Sequence, residues 1–155
     1  MKAPVFFLAL CLLAPLPGMA GGPPAAPSAV IGAVAQELEL GGSDTRHVEK
    51  LLKPLKLGTG EVLWRADFAK ASETDWCGSG GCRVMLFGSN GKGWKAVFDR
   101  QVREFKLNGQ NLTVELYGKF CGKAGNAPCL GSYRWDAGKR VWQPLDKAPP
   151  PLDEQ

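Results

Sequence analysis

The chain has 155 residues, a formal net charge of +4 and hydrophobic residues at 45% of positions. That length suits one domain with a core of its own. Its cations are dispersed along the chain, which points to solubility and excludes the clustered basic footprint of a nucleic-acid binder.

The first twenty residues read as an export signal. Lys2 supplies the positive start, Val5 to Leu16 form an almost continuous apolar stretch, and Gly18-Met19-Ala20 offers small side chains for cleavage after Ala20. The apolar stretch is shorter than the roughly 20 residues a bilayer span needs, and Pro15 and Pro17 interrupt its end. No transmembrane segment is expected once residues 1–20 are removed. Cys11 invites comparison with a lipidated cysteine, but bulky Leu10 precedes it and more apolar sequence follows. The expected location is periplasmic or secreted.

Residues 21–27, rich in Gly and Pro, are expected to form a flexible leader, and residues 146–155, with three consecutive prolines and an acidic end, a flexible tail. Residues 28–145 are then the folded domain. From Ser28 to Leu40, Val30, Ile31, Val34, Ala35 and Leu38 recur at helical spacing until Gly41-Gly42 stops the pattern. A second, shorter helix is expected from Asp44. Ser43 or Asp44 would cap it, Val48, Leu51, Leu52 and Leu55 would form its buried stripe, and Pro54 would limit its length.

After Gly60 the period changes to two. Val62, Trp64, Ala66 and Phe68 alternate with Leu63, Arg65 and Asp67, the pattern of a half-buried strand. Val84 to Phe87 predict a more central strand, and Trp94, Ala96 and Phe98 alternate again after the turn-rich Ser89 to Gly93, so these two strands form a hairpin. A second hairpin turns at Asn108-Gly109. A two-residue Asn-Gly loop would place Leu107 opposite Gln110. The register with Leu107 opposite Leu112 and Phe105 opposite Val114 matches apolar with apolar and is preferred. A last strand pair is expected around Tyr133-Trp135 and Val141-Trp142. The sum is an α+β domain, with N-terminal helices packed on one antiparallel sheet of five or six strands.

Four cysteines remain after the signal: Cys77, Cys82, Cys121 and Cys129. An even count in an exported chain favours disulfides. Cys77 pairs with Cys82 and Cys121 with Cys129 in the expected connectivity, because each pair flanks one turn-rich loop. The gaps of four and seven intervening residues are not zinc-ribbon spacings, and no metal or cofactor is expected. Cys77-Gly78-Ser79-Gly80-Gly81-Cys82 also lacks the two-residue spacing of a thioredoxin-type site.

Catalytic constellations are poorly supported. His47 is the sole histidine and sits among Arg46, Glu49 and Lys50. Ser79 has glycine neighbours, but Cys77 takes the first position of a G-x-S-x-G elbow. Asp67, Glu73, Asp75, Asp99, Glu104 and Glu115 supply carboxylates without a distinguishing spacing, and Asp67 to Ser72 places Phe, Ala and Lys where a calcium loop needs oxygen ligands. Of the five tryptophans, Trp64 and Trp94 are in phase with core residues, while Trp76 and Trp142 are candidates for a contact surface. The expected contact edge combines Trp76, Gly78, Ser79, Gly80 and Gly81 with Lys123 and Asn126 of the second loop.

The stretch Asp75 to Cys82 with Gly93-Trp94, together with Leu116 to Gly122, Pro128-Cys129 and Tyr133-Arg134-Trp135, resembles a group of small, uncharacterised exported proteobacterial proteins. The C-x4-C loop from Cys77 to Cys82, with the strand Arg83 to Phe87 behind it, more weakly resembles the Ivy-type lysozyme inhibitors. That likeness implies a disulfide-closed loop entering an enzyme's cleft. This loop carries only Gly78, Ser79, Gly80 and Gly81, where that family carries a histidine and charged groups. The expected function is a non-catalytic module binding an unknown envelope protein or glycan. Inhibition of a cell-wall hydrolase and a small carboxylate-dependent hydrolase are the alternatives.

Overall fold

The computed structural model of the chain describes residues 24–124 and 126–145. The expected signal peptide, the first part of the leader (residues 21–23) and the tail lie outside the described residues, as does Gly125.

Helix α1 runs Ser28–Leu40, with Val30, Val34 and Leu38 buried on one stripe. It ends at Gly41, and Gly42 takes a left-handed φ of +70°. The second expected helix is absent. Only a single 3-10 turn forms, Val48–Leu51, and the chain then extends as β1, Leu52–Lys56. Four apolar residues at helical spacing are too few to nucleate a helix against Pro54, which withdraws one backbone donor. Pro54 is tolerated because β1 is an edge strand, paired among the described residues with β2, Val62–Asp67, alone.

A 3-10 turn, Phe68–Lys70, and a one-turn helix, Glu73–Trp76, lead to the two-residue β3, Cys77–Gly78. Strands β4 (Gly81–Ser89) and β5 (Trp94–Val102) form the expected hairpin. Then come β6 (Glu104–Asn108), β7 (Asn111–Tyr117), a 3-10 turn Gly118–Cys121, β8 (Pro128–Asp136) and β9 (Val141–Pro144). Leu107 faces Leu112 and Phe105 faces Val114, as the apolar match predicts, with Asn108 and Asn111 closing the pair.

The expected α+β arrangement, helices on one sheet of five or six strands, is corrected. The strands form two antiparallel sheets, one of five strands (β1, β2, β4 and β5, with β3 also on β4) and one of four in the order β6-β7-β8-β9. Among the described residues only one helix is longer than a turn. The first sheet is buried on both faces. One face meets α1 through Trp64, Ala66, Phe68, Met85 and Phe87. The other presents Leu63, Val84, Leu86, Phe98 and Val102 to Leu112, Val114, Leu116, Tyr133, Trp135 and Trp142 of the second sheet. Val84 to Phe87 are consecutive apolar residues because both sides of β4 are interior. For the same reason Leu63, read as the wetter face of β2, is 1% exposed.

In β5 the expected Trp94, Ala96, Phe98 alternation is broken by a bulge. Leu86 pairs with Phe98 and Phe87 with Ala96, so Val97 is the extra residue, and Ala96 is exposed while Phe98 is buried. At the end of β5 the chain changes sheets. Val102 closes β5 in the first sheet, Glu104 opens β6 in the second, and Arg103 alone forms the corner.

Candidate functional site

Both disulfides form in the expected pairing. Cys77 joins Cys82 across Cα atoms 4.0 Å apart, and Cys121 joins Cys129 across 5.7 Å. The first bridges directly opposed residues of β3 and β4, with Gly78 opposite Gly81 and Ser79-Gly80 at the tip. Gly81 has φ +94°, and a side chain there would run into the Val102 carbonyl. Gly80 is buried against Gln101 and Tyr117. Gly78 and Ser79 are exposed. The glycine loop therefore lies down on the corner between the sheets, with Gly78 and Ser79 in water.

Arg103 holds it there. Its Nε and one terminal nitrogen donate to the Ser79 carbonyl at 2.9 and 2.7 Å, and the other terminal nitrogen donates to the Asn126 carbonyl at 3.0 Å. The same guanidinium lies 3.6 Å from the Glu115 carboxylate and 5.9 Å from the Tyr117 ring centroid. Its backbone N–H donates to Glu115 across the corner, at 2.8 Å. The planar fork of Arg suits this task, since its donors diverge toward separate acceptors without rearrangement.

The second loop is braced from within. Gly122 turns at φ +66°, the Lys123 N–H bonds the Gly118 carbonyl at 3.0 Å, and its ammonium bonds the Pro128 carbonyl at 3.1 Å. The Lys119 ammonium lies 5.3 Å from the Phe120 centroid and 6.0 Å from that of Tyr117. Asn126, Lys119 and Lys123 are exposed. The two loops expected to share an edge do meet, and Arg103, absent from the sequence reading, is the residue that joins them. The signal for it was the loss of strand phase between Val102 and Phe105, where a cation interrupts two apolar patterns.

Trp76 does not belong to this edge. It is 9% exposed, its ring centroid is 4.7 Å from that of Phe68, and its indole N–H donates to the Ser43 hydroxyl at 3.0 Å. Helix packing claims it, because Gly41 ends α1 directly against the ring. Trp142, the other candidate contact tryptophan, is buried at 6% exposure. The apolar side chain that the stapled end does expose is Leu130, at 66%. It follows disulfide-bonded Cys129 and lies opposite Glu115, beside the facing pair Tyr117 and Pro128.

The carboxylates are largely engaged. Asp99 receives two bonds from Arg83, at 2.8 and 2.7 Å, and Glu37 of α1 a third at 2.8 Å. The hydrogen bonds that Arg83 donates to Asp99 lead in holding the Arg83 pKa above the ordinary arginine value. Arg83 and Asp99 border an open hollow of about 350 Å³ that Arg100, Gln101 and Phe120 also line. Asp67 pairs with Arg65, Glu104 with Lys106 and Glu115 with Arg103, while Glu73 and Asp75 are exposed on the one-turn helix. His47 is exposed at the start of the Val48–Leu51 turn. Among the described residues no group of three His, Cys, Asp or Glu is placed to hold a metal, and no helix is long and apolar enough to cross a membrane. Comparison with family models, with curated proteins and with solved structures returns no match to this chain.

Proposed function

We propose that this chain is an exported, non-catalytic binding module that engages a partner of the cell envelope through its doubly stapled end. Two disulfides suit an oxidising compartment, which supports export. The observation that carries the binding reading is the Arg103 guanidinium bonding the carbonyls of both Ser79 and Asn126. Two loops closed by disulfides and tied to one side chain lose little conformational freedom on binding, so a modest area suffices. The carboxylates nearest this end each meet a cation, Glu37 and Asp99 on Arg83, Glu115 on Arg103 and Glu104 on Lys106, an arrangement that suits positioning a surface.

The test is co-sedimentation of the oxidised protein with an isolated envelope fraction. A Ser79→Arg, Lys123→Glu double variant with unchanged circular dichroism is expected to lose retention. Full retention of the folded variant would remove this surface from consideration. A second reading, inhibition of a cell-wall hydrolase, draws on the exposed Gly78-Ser79 tip of the disulfide hairpin. It requires the tip to enter a cleft, whereas Gly80 is buried and the Ser79 carbonyl is held back by Arg103. A lysozyme assay on purified peptidoglycan separates the two: the binding module leaves the lysis rate unchanged, and an inhibitor slows it.

A further inference from the structure

We infer that the partner of the stapled end is an acidic, amphipathic polypeptide segment, laid with its apolar side chains on Leu130, Pro128 and Tyr117 and its carboxylates on Lys119 and Lys123. This rests on the binding reading given above and specifies the chemistry of the other side.

The apolar part comes first. Tyr117 faces Pro128 across β7 and β8, and Leu130 lies two residues beyond Pro128 on the same face. Leu130 is 66% exposed and Pro128 is exposed, on a strand segment pinned by the Cys121–Cys129 bridge at its entrance and by β7 along one edge, with β9 joining the other edge from Tyr133 onward. An isolated surface leucine is ordinary. Three adjoining apolar side chains on a backbone held this firmly are an anchor that a partner covers without ordering it first.

Charge selects the partner's sign. Glu104 and Glu115 each meet a cation of this chain, Lys106 at 2.7 Å and Arg103 at 3.6 Å. Lys119 and Lys123 have only neutral partners among the described residues, the Tyr117 and Phe120 rings and the Pro128 carbonyl. The stapled end therefore carries a local excess of positive charge around an apolar patch. A glycan is the poorer complement. Sugars stack on open aromatic faces, whereas the Arg103 guanidinium lies 5.9 Å from the Tyr117 ring centroid, and their C–H faces offer less apolar surface than a leucine-bearing peptide to take Leu130 out of water.

The experiment is an ¹⁵N NMR titration of the oxidised protein with three probes: a peptide of alternating Glu and Leu, its Lys–Leu counterpart, and soluble peptidoglycan fragments. The Glu–Leu peptide is expected to shift the amides of Tyr117, Lys119, Lys123 and Leu130. Binding should weaken with added salt, and roughly fivefold or more in a Lys119→Glu, Lys123→Glu variant and again in Leu130→Ser. Equal binding of the Lys–Leu peptide, shifts confined to other surfaces, or no binding of the Glu–Leu peptide would overturn the inference. If peptidoglycan fragments alone shift these residues, the stapled end remains a binding surface and the polypeptide partner is wrong. If none of the probes binds, this inference falls and the binding reading is decided by the co-sedimentation result.

Discussion

The Arg103 guanidinium reaches back 24 residues to the Ser79 carbonyl, meeting it with two nitrogens at 2.9 and 2.7 Å, while its remaining terminal nitrogen serves Asn126 on the other stapled loop. One side chain at the point where the chain changes sheets thus fixes the position of both loops. Arg103→Ala should cost about 1–2 kcal/mol, since charge-assisted bonds are stronger than neutral ones but these are only partly shielded from water. Urea unfolding measures the loss. Faster amide exchange should appear in both loops of this variant together. Faster exchange in only one would mean that the loops are held independently.

Trp76 and Ser43 form a second long-range pair, and it tests the assignment of Trp76 to the core. Trp76→Phe removes the 3.0 Å bond to Ser43 and should cost about 1 kcal/mol, whereas Trp76→Ala should cost roughly 3–5 kcal/mol by opening a cavity beside Phe68 and α1. In a double-mutant cycle, Trp76→Phe and Ser43→Ala should be non-additive. A Trp76→Ala variant as stable as wild type would show that the ring is not core.

The two facing glycines of the disulfide hairpin, Gly78 and Gly81, should respond differently to alanine. At Gly81 the positive φ and the Val102 carbonyl both oppose a Cβ, so Gly81→Ala should lose about 2–4 kcal/mol. At Gly78 an added Cβ meets nothing within 4 Å, so Gly78→Ala should stay within about 0.5 kcal/mol of wild type. Similar losses at both positions would contradict the way the loop is laid on the corner.

Tyr133 gives a prediction in pH. Its hydroxyl is buried with no hydrogen-bond partner among the described residues, and burial pushes the phenol up to about 12. An unfolded tyrosine ionises near 10. Between those values the unfolded chain releases a proton that the folded chain keeps. Stability from this group is therefore complete below about pH 10 and falls as pH rises toward 12, by on the order of 2 kcal/mol. Tyr133→Phe should remove that alkaline loss. At neutral pH it should be neutral or slightly stabilising, because it deletes an unsatisfied hydroxyl. Urea unfolding of both proteins at neutral and alkaline pH checks this.

What the sequence disclosed follows from how local each signal is. The bounds of α1, the Leu107–Leu112 register and both disulfide pairings depend on neighbours within one element or one loop, and each could be read from spacing. The division into two sheets could not. Val102 and Glu104 differ in sheet, not in strand character, and that step is taken in the single residue Arg103. Leu52 and Leu55 mimicked a helical stripe because a short edge strand containing proline has no strict alternation. Trp76 misled for a related reason: its neighbours are exposed Asp75 and the cysteine that opens the glycine loop, and the residues that bury it, Gly41, Ser43 and Phe68, come from earlier turns of the chain. The candidate edge was thus half legible. Its loops lay in the cysteine spacing, its clasp left only a break in strand phase around Arg103, and its apolar side chain emerges from tertiary structure alone.

Hydrogen-exchange mass spectrometry of the oxidised protein, free and then retained on the isolated envelope fraction, tests the binding surface most directly. Contact through the stapled end should protect the peptides spanning residues 77–82 and 121–130 together, leaving α1 and the Leu52–Lys56 edge unchanged. Protection on α1 or that edge, with both loops exchanging as in the free protein, would contradict it.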